Sequence, residues 1–252
     1  MHVVSATNPG PRCVFCQREE VSNEHVFGRW ISRLLADGAP FTLTKTPGRG
    51  GSGLRMINVK SRTACQACNG GWMSRSEGEA RQLLPSAIHG EAIQWDTEQQ
   101  KRVARWAFKT ALMLDRSSEA SRVAPAHHFA FLFEQGFPPD SVSIDLARYY
   151  PGAGEEHLGV LGSSHRPSGP DPRLYPEPYE ITFSVGQLVF QVAGHSGRAQ
   201  LEIRRGGLGV SGALVPVVDV FRHLWPLRKG IFAWPPQGGH LNTQSLLALA
   251  RF

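Results

Sequence analysis

Two closely spaced cysteine pairs constrain this chain more than any other feature. The pairs are Cys13-x-x-Cys16 and Cys65-x-x-Cys68, and they account for all four cysteines of the sequence. Paired C-x-x-C spacings of this kind are typical of one tetrahedral thiolate site for zinc. The spacing therefore predicts a structural Zn²⁺ ion that ties the start of the chain to the region near residue 65.

The composition indicates an ordered globular protein outside the membrane. The 252 residues are 41% hydrophobic and 19% charged, enough for one large domain or two modest ones. The sequence has no run of about 18 apolar residues, and its start lacks a basic region followed by a long apolar stretch. We therefore expect a cytoplasmic location, where reduced cysteines favour metal binding over disulfides.

The positive charge is concentrated around the cysteine pairs. Residues 1–85 hold 11 Lys and Arg against 6 Asp and Glu, whereas residues 86–252 hold 16 against 15. A basic surface beside a candidate site suits a polyanionic substrate. A solvated surface of mixed charge explains the same imbalance, so charge alone does not decide between the two readings.

Apolar periodicity predicts two clear helical regions. Residues 96–115 repeat apolar side chains at helical spacing, and Asp96 with Gln99 forms a candidate capping box. Another helix is predicted from Cys68 to about Leu84, where Pro85 ends it. The solvated face of the 96–115 helix is expected to carry its basic residues, namely Lys101, Arg102, Arg105 and Lys109.

Beyond the 96–115 helix the apolar period changes to two, which predicts strands. Alternation is clear over residues 142–146, 179–185 and 188–192, with Gly186-Gln187 as a hairpin turn between the last two. Residues 151–172 are rich in Gly, Pro and Ser and predict an exposed loop. The fold class expected from the whole pattern is α+β.

A Glu24-His25 dipeptide lies between the cysteine pairs, and Asn69 directly follows the second pair. In this order the chain resembles the HNH endonucleases, ββα-metal nucleases built on a treble-clef zinc scaffold, and specifically their four-cysteine subgroup. The resemblance covers about residues 10–84. It implies an N-terminal treble-clef nuclease module over residues 1–85. Residues 86–252 are then expected to form a mixed helix-and-antiparallel-sheet domain that positions substrate or mediates self-association as a homodimer.

The resemblance also implies an activity, the metal-dependent hydrolysis of DNA phosphodiester bonds, with RNA left open as a substrate. His25 takes the role of general base, which suits an imidazole near neutral pH. Glu24 and Asn69 take the roles of ligands to a catalytic divalent ion. Their carboxylate and amide oxygens are hard ligands that suit Mg²⁺ or Mn²⁺, whereas thiolates select zinc.

Three positions depart from the family pattern, and two alternatives stay open. Asn69 stands at the helix position where many members have histidine. Gly28 stands where a proline is usual, and Asn58 is the one candidate for the family's middle asparagine, without a fixed-distance match. Asn69 suits the N-cap of the helix after the second cysteine pair as well as it suits a metal. The alternative function is a non-catalytic treble-clef module that binds nucleic acid or protein, with zinc as its only metal.

Overall fold

The structure is a computed structural model with a mixed α+β fold. It describes residues 11–19, 21–35, 59–117, 122–150, 160–166, 176–197, 220–227, 230–235 and 239–249. The middle-asparagine candidate Asn58 lies outside these residues.

A two-stranded antiparallel hairpin follows the first cysteine pair. Strand β1 (Ser22–His25) pairs with β2 (Lys60–Ala64), and a register shift interrupts the pairing within β1. The short helix α1 (Arg29–Leu34) begins four residues after β1 ends. Strand β2 leads directly into the second cysteine pair.

The second cysteine pair opens a helical run that is not uniform. It consists of α2 (Gln66–Cys68), a π-helical turn (Asn69–Met73) and α3 (Ser74–Leu83). The backbone leaves the helical range at Gly71, with φ −93° and ψ −110°, because glycine lacks the side chain that would oppose such angles. Proline then begins the next helix, α4 (Pro85–Ile88), which confirms the predicted helix and its end.

The longest helix forms as the sequence predicts. Helix α5 (Thr97–Asp115) begins with the capping box, in which Asp96 accepts from the Gln99 backbone and the Gln99 side chain accepts from Asp96 N. The shorter α6 (Ala126–Gln135) follows and ends at Gly136, whose φ of +74° marks a left-handed cap.

The remaining strands form a five-stranded antiparallel sheet and one further pair. The sheet has the order β5-β6-β7-β4-β8, and β3 pairs with β9. The strand bounds are β3 (Ile93–Trp95), β4 (Val142–Arg148), β5 (Val160–His165), β6 (Tyr179–Val185), β7 (Leu188–Gly194), β8 (Phe221–Trp225) and β9 (Phe232–Trp234), and α7 (Thr243–Leu249) ends the described chain.

The hairpin between β6 and β7 confirms the predicted two-residue turn. Val185 pairs with Leu188, and Gly186 adopts a φ of +56° between them. A Cβ atom on Gly186 would lie 2.6 Å from the Ile88 carbonyl oxygen. The turn therefore needs glycine both for its backbone angle and for its close approach to α4.

One loop prediction is wrong. Residues 151–172 were expected to form an exposed loop, but β5 (Val160–His165) lies within them and pairs with β6 along its whole length. The reason is that the edge of β6 offers a row of unpaired backbone groups, and pairing them outweighs the local Gly, Pro and Ser content.

The expected basic face of α5 is also partly wrong. Lys101 and Arg102 are exposed, but Arg105 is half-buried against Glu79, and Lys109 is buried against Glu77. Both carboxylates belong to α3, which packs along this side of α5. Half of the expected solvated face of α5 is thus an interface with α3.

One continuous hydrophobic core connects the cysteine segment with the sheet. Its buried side chains run from Cys13 through α5 to Trp234, and α5 contacts all five strands of the sheet. A smaller cluster around Tyr149 and α7 lies apart from it. The boundary at residue 85 stays a prediction. Among the described helices, none combines the length and apolar character needed to cross a bilayer.

Candidate metal centre and the Glu24-His25 site

The four cysteine sulfurs converge on one point, as the spacing predicts. All four Sγ atoms lie within 4.8 Å of one another, with 3.8 Å between Cys13 and Cys68 and 3.5 Å between Cys16 and Cys65. None forms a disulfide. Four sulfurs bound at about 2.3 Å to a tetrahedral zinc would stand about 3.8 Å apart. The cluster therefore has the dimensions that suit a structural metal ion such as zinc.

The first cysteine pair is held in a tight turn against the hairpin. Cys13 N donates to the Arg18 carbonyl at 2.8 Å, and Val14 N donates to the Thr63 carbonyl of β2 at 2.9 Å. Gln17 follows the turn with a φ of +62°, a left-handed conformation that is uncommon for residues other than glycine. These bonds aim both sulfurs of the pair back toward β2 and the helix after it.

The second pair is presented by the start of a helix. Cys65 is the N-cap of α2, and its sulfur accepts from the Cys68 backbone N–H at 3.4 Å. Burial acts against the Cys65 thiolate, but this bond and the neighbouring thiols outweigh it and lower the Cys65 pKa to about 7. Burial raises the pKa of Cys16 and of Cys68. A positive ion would stabilise all four as thiolates.

Trp72 offers an independent test of the fit to a metal ion. Its indole nitrogen is buried and has no hydrogen-bond partner of normal geometry in the part of the chain that the structure describes. The indole N–H nevertheless favours the Cys68 thiolate and opposes the rise that burial causes in the pKa of Cys68. A buried N–H is costly unless something accepts its hydrogen bond. A metal-bound thiolate is such an acceptor, so Trp72 fits a cluster of charged sulfurs better than a cluster of neutral thiols.

The acid-histidine pair lies at the end of β1. His25 pairs with the exposed Lys60, and Glu24 pairs with the buried Ser61. Residues directly opposite each other in an antiparallel pair share a face, so His25 lies on the solvent face of the hairpin. Both side chains are half-buried. Just beyond them, Val26 N donates to the Val59 carbonyl at 2.9 Å and continues the hairpin.

Asn69 lies one residue after the cysteine cluster, at the first position of the π-helical turn. The capping alternative for this side chain is not what forms, because Cys65 caps α2 and no side chain caps the π-helical turn or α3. Single π-helical turns within helices are rare and occur frequently at functional sites. Asn69 is half-buried, so its amide is accessible to a ligand.

The structure brings the cysteines together as one metal group and leaves the other candidates outside it. Among the described residues, no second set of three or more His, Cys, Asp or Glu side chains stands close enough to share an ion. A divalent ion at Glu24 and Asn69 would have few protein ligands. Mg²⁺ commonly binds in this way, with water and substrate phosphate completing its shell.

The sequence reasoning missed Glu77, the most heavily bonded carboxylate near the site. It accepts hydrogen bonds from Trp30 of α1 and from Trp106 and Lys109 of α5. No signal for this role is present in the sequence, because its periodicity places Lys109 on the solvated face of the 96–115 helix. What the sequence lacked was the packing of α3 against α5.

No protein-family model, no curated protein and no solved structure matches this chain.

Proposed function

We propose that this chain is an HNH-type endonuclease with a treble-clef ββα-metal core. The observation that carries the proposal is the order of elements around the cysteine cluster. A cysteine turn leads into a strand that ends in Glu24-His25, a second strand returns, and a helix opens with the other cysteines and Asn69. This order supports a structural zinc beneath a hairpin whose end carries the chemistry.

In the proposed reaction His25 acts as the general base. It accepts a proton from a water molecule, and the hydroxide attacks the phosphorus of a DNA phosphodiester while the bond from phosphorus to the leaving oxygen breaks. The position of His25 on the solvent face of the hairpin supports access for so large a substrate. Solvent supplies the proton that the leaving oxygen takes up.

Glu24 and Asn69 are the proposed ligands of the divalent ion, Mg²⁺ or Mn²⁺. When bound, such an ion steadies the scissile phosphate and the negative charge on the leaving oxygen. The two residues belong to different elements, Glu24 to β1 and Asn69 to the π-helical turn. Their half-burial supports a role that needs partial access to solvent.

Phosphate contacts are proposed for the basic side chains beside His25. Lys60 and Arg62 are exposed on β2 and alternate with the buried Ser61 and Thr63, so they share the face of His25. Cations at this place suit the backbone of a nucleic acid, and binding through them weakens as salt rises.

A second candidate function, a non-catalytic treble-clef module, has one observation in its favour. The cysteines are the sole group of metal-binding character among the His, Cys, Asp and Glu residues that the structure describes. In that case zinc is the only metal, and nucleic acid or protein binds without being cut.

The experiment that separates the two functions is a plasmid-nicking assay with Mg²⁺ and Mn²⁺ titrations. His25→Ala should lower cleavage by about 100-fold or more, because it removes the base, while zinc content and DNA affinity stay the same. Glu24→Gln should instead raise the divalent ion concentration that half-maximal cleavage requires. His89→Ala is the matched control, since His89 is an exposed histidine on the end of α4.

Two results would contradict the nuclease proposal. Wild-type protein that binds DNA but cuts no DNA or RNA substrate with either ion would favour the binding module. Equal cleavage by wild type and His25→Ala would remove His25 as the base.

A further inference from the structure

The carboxylate of Glu77 joins three helices, α1, α3 and α5. Glu77 lies in the first turn of α3. Its Oε2 accepts from Trp30 Nε1 of α1 at 2.7 Å, and its Oε1 accepts from Trp106 Nε1 of α5 at 3.1 Å and from Lys109 Nζ. Every donor is an N–H group of a side chain that packs in or against the core.

Helix α5 fixes the orientation of this carboxylate. The Lys109 side chain is only 2% exposed, and a buried ammonium must keep its acid partner. Trp106 is wholly buried and packs edge-on against Phe183 and Phe190 of the sheet. One oxygen of Glu77 is thus held from the core side, which leaves the other oxygen directed at α1.

Gly28 makes room for that second oxygen. A Cβ atom on Gly28 would lie 2.4 Å from Glu77 Oε2 and 2.6 Å from Trp30 Nε1. The backbone of Gly28, with φ −61° and ψ 143°, would accept proline. The glycine is therefore required by the bond between Glu77 and Trp30 and not by its own backbone angles.

We propose that Glu77 is a positioning residue for the Glu24-His25 pair. Gly28 and Trp30 follow His25 by three and five residues, so the bond to Glu77 anchors the chain just after β1 to α3. Asn69 lies in the same helical run as Glu77, at the first position of the π-helical turn. Glu77 thereby fixes the base on one element relative to the metal ligand on another, and such preorganisation acts on the rate of the chemical step. This role rests on the nuclease function proposed above.

The test uses the full-length, zinc-loaded protein and removes only the N–H that reaches Oε2. Trp30→Phe leaves the Glu77–Lys109 pair intact and retains a ring to pack against Trp106. The matched control is Trp234→Phe in β9, the same substitution at a buried tryptophan whose indole N–H has no partner among the described residues. We expect Trp30→Phe to lower kcat by about tenfold or more without changing KM, and Trp234→Phe to leave both unchanged.

Gly28→Ala, which pushes Oε2 away from Trp30, should lower kcat as much as Trp30→Phe does. The double variant should lose no more kcat than either single variant, because both substitutions break the same bond.

Hydrogen exchange at the Val26 amide separates the failure of this inference from the failure of the nuclease function. Val26 N donates to Val59 O at the end of the hairpin, so its exchange should quicken in Trp30→Phe and not in Trp234→Phe. If wild type never cleaves, the nuclease function fails, and Val26 exchange alone decides whether Glu77 holds the end of β1. Unchanged Val26 exchange in Trp30→Phe, or equal losses of kcat in both variants, would overturn the positioning role.

Discussion

Glu180 lies on β6 with its carboxyl group buried. It is 8% exposed and accepts from Gln191 Nε2 of the neighbouring strand. Burial, reinforced by the charge of Asp145, raises its pKa from 4.5 to about 7 despite the bond from Gln191. The neighbouring Tyr179 of β6 hydrogen-bonds to His128 of α6. Burial lowers the pKa of His128 from 6.5 to about 3, so its imidazole stays neutral. The two groups make the stability depend on pH in opposite directions.

We predict that Glu180→Gln flattens one part of the pH profile of stability. The folded pKa of Glu180 is raised, so its contribution is fully present below pH 4.5 and is lost as the pH rises through about 7. A shift of this size corresponds to about 3 kcal/mol in the free energy of unfolding. Urea unfolding at pH 4.5 and pH 7.5 should show wild type losing stability relative to Glu180→Gln. The contribution of His128 cancels in this comparison, and parallel profiles would contradict the prediction.

Lys109 and Glu77 show where residue-level reading of the sequence stops. Helical spacing correctly places Lys109 on the basic side of α5, but exposure depends on what covers that side. Glu77 is 32 residues away in sequence, and no local pattern joins them. The cysteine spacing, in contrast, correctly predicted the cluster, because tetrahedral coordination of one ion requires the same geometry from any four thiolates.

At the scale of elements, strong local signals were sufficient for the helical run before Pro85, for α5 and for the hairpin between β6 and β7, whereas α6 and α7 were not predicted. The Asp96–Gln99 box set the start of α5, and Gly186 set the turn between β6 and β7. The strand β5 was missed because its pairing with β6 depends on a partner edge rather than on its own composition. For the candidate site, the sequence predicted the helical run that carries Asn69 but assigned no strand to Glu24 and His25, and the link through Glu77 depends on tertiary packing.

The π-helical turn contacts the first cysteine turn through the side chain of Trp72. Trp72 packs edge-on against Phe15 of the first cysteine turn, with ring centroids 5.2 Å apart. We predict that Trp72→Phe keeps this packing, loses the N–H that favours the Cys68 thiolate, and lowers zinc affinity by about tenfold. Competition with a chromophoric chelator measures the affinity. Trp95→Phe, a buried tryptophan in β3, is the control, and equal affinities in the two variants would contradict a role for the indole N–H.

At the scale of the whole molecule, the cysteine cluster and the sheet share one core. Phe15 of the first cysteine turn packs against Phe129 of α6, and Phe27 packs against Phe183 of β6. Thr63 of β2 reaches Met113 of α5. These contacts cross the predicted boundary at residue 85 at three separate places.

We therefore predict that zinc removal destabilises the molecule as a single unit. Chelation under reducing conditions should lower Tm in one cooperative calorimetric transition, because binding to the folded state alone adds about 4 kcal/mol when free zinc is 1,000-fold above Kd. Cys65→Ser should behave like the chelated protein and respond little to added zinc. Two separable transitions, with the larger one insensitive to zinc, would instead show that residues 86–252 fold independently.

The wedge of Phe15 between Trp72 and Phe129 also has an evolutionary consequence. The ring belongs to the cysteine turn, yet it also packs against Phe129 on a helix more than a hundred residues later. Recombination that joined this cysteine segment to an unrelated C-terminal partner would expose an aromatic ring next to the sulfur cluster. We therefore expect substitutions at position 15 to be matched by changes at position 129 among related sequences.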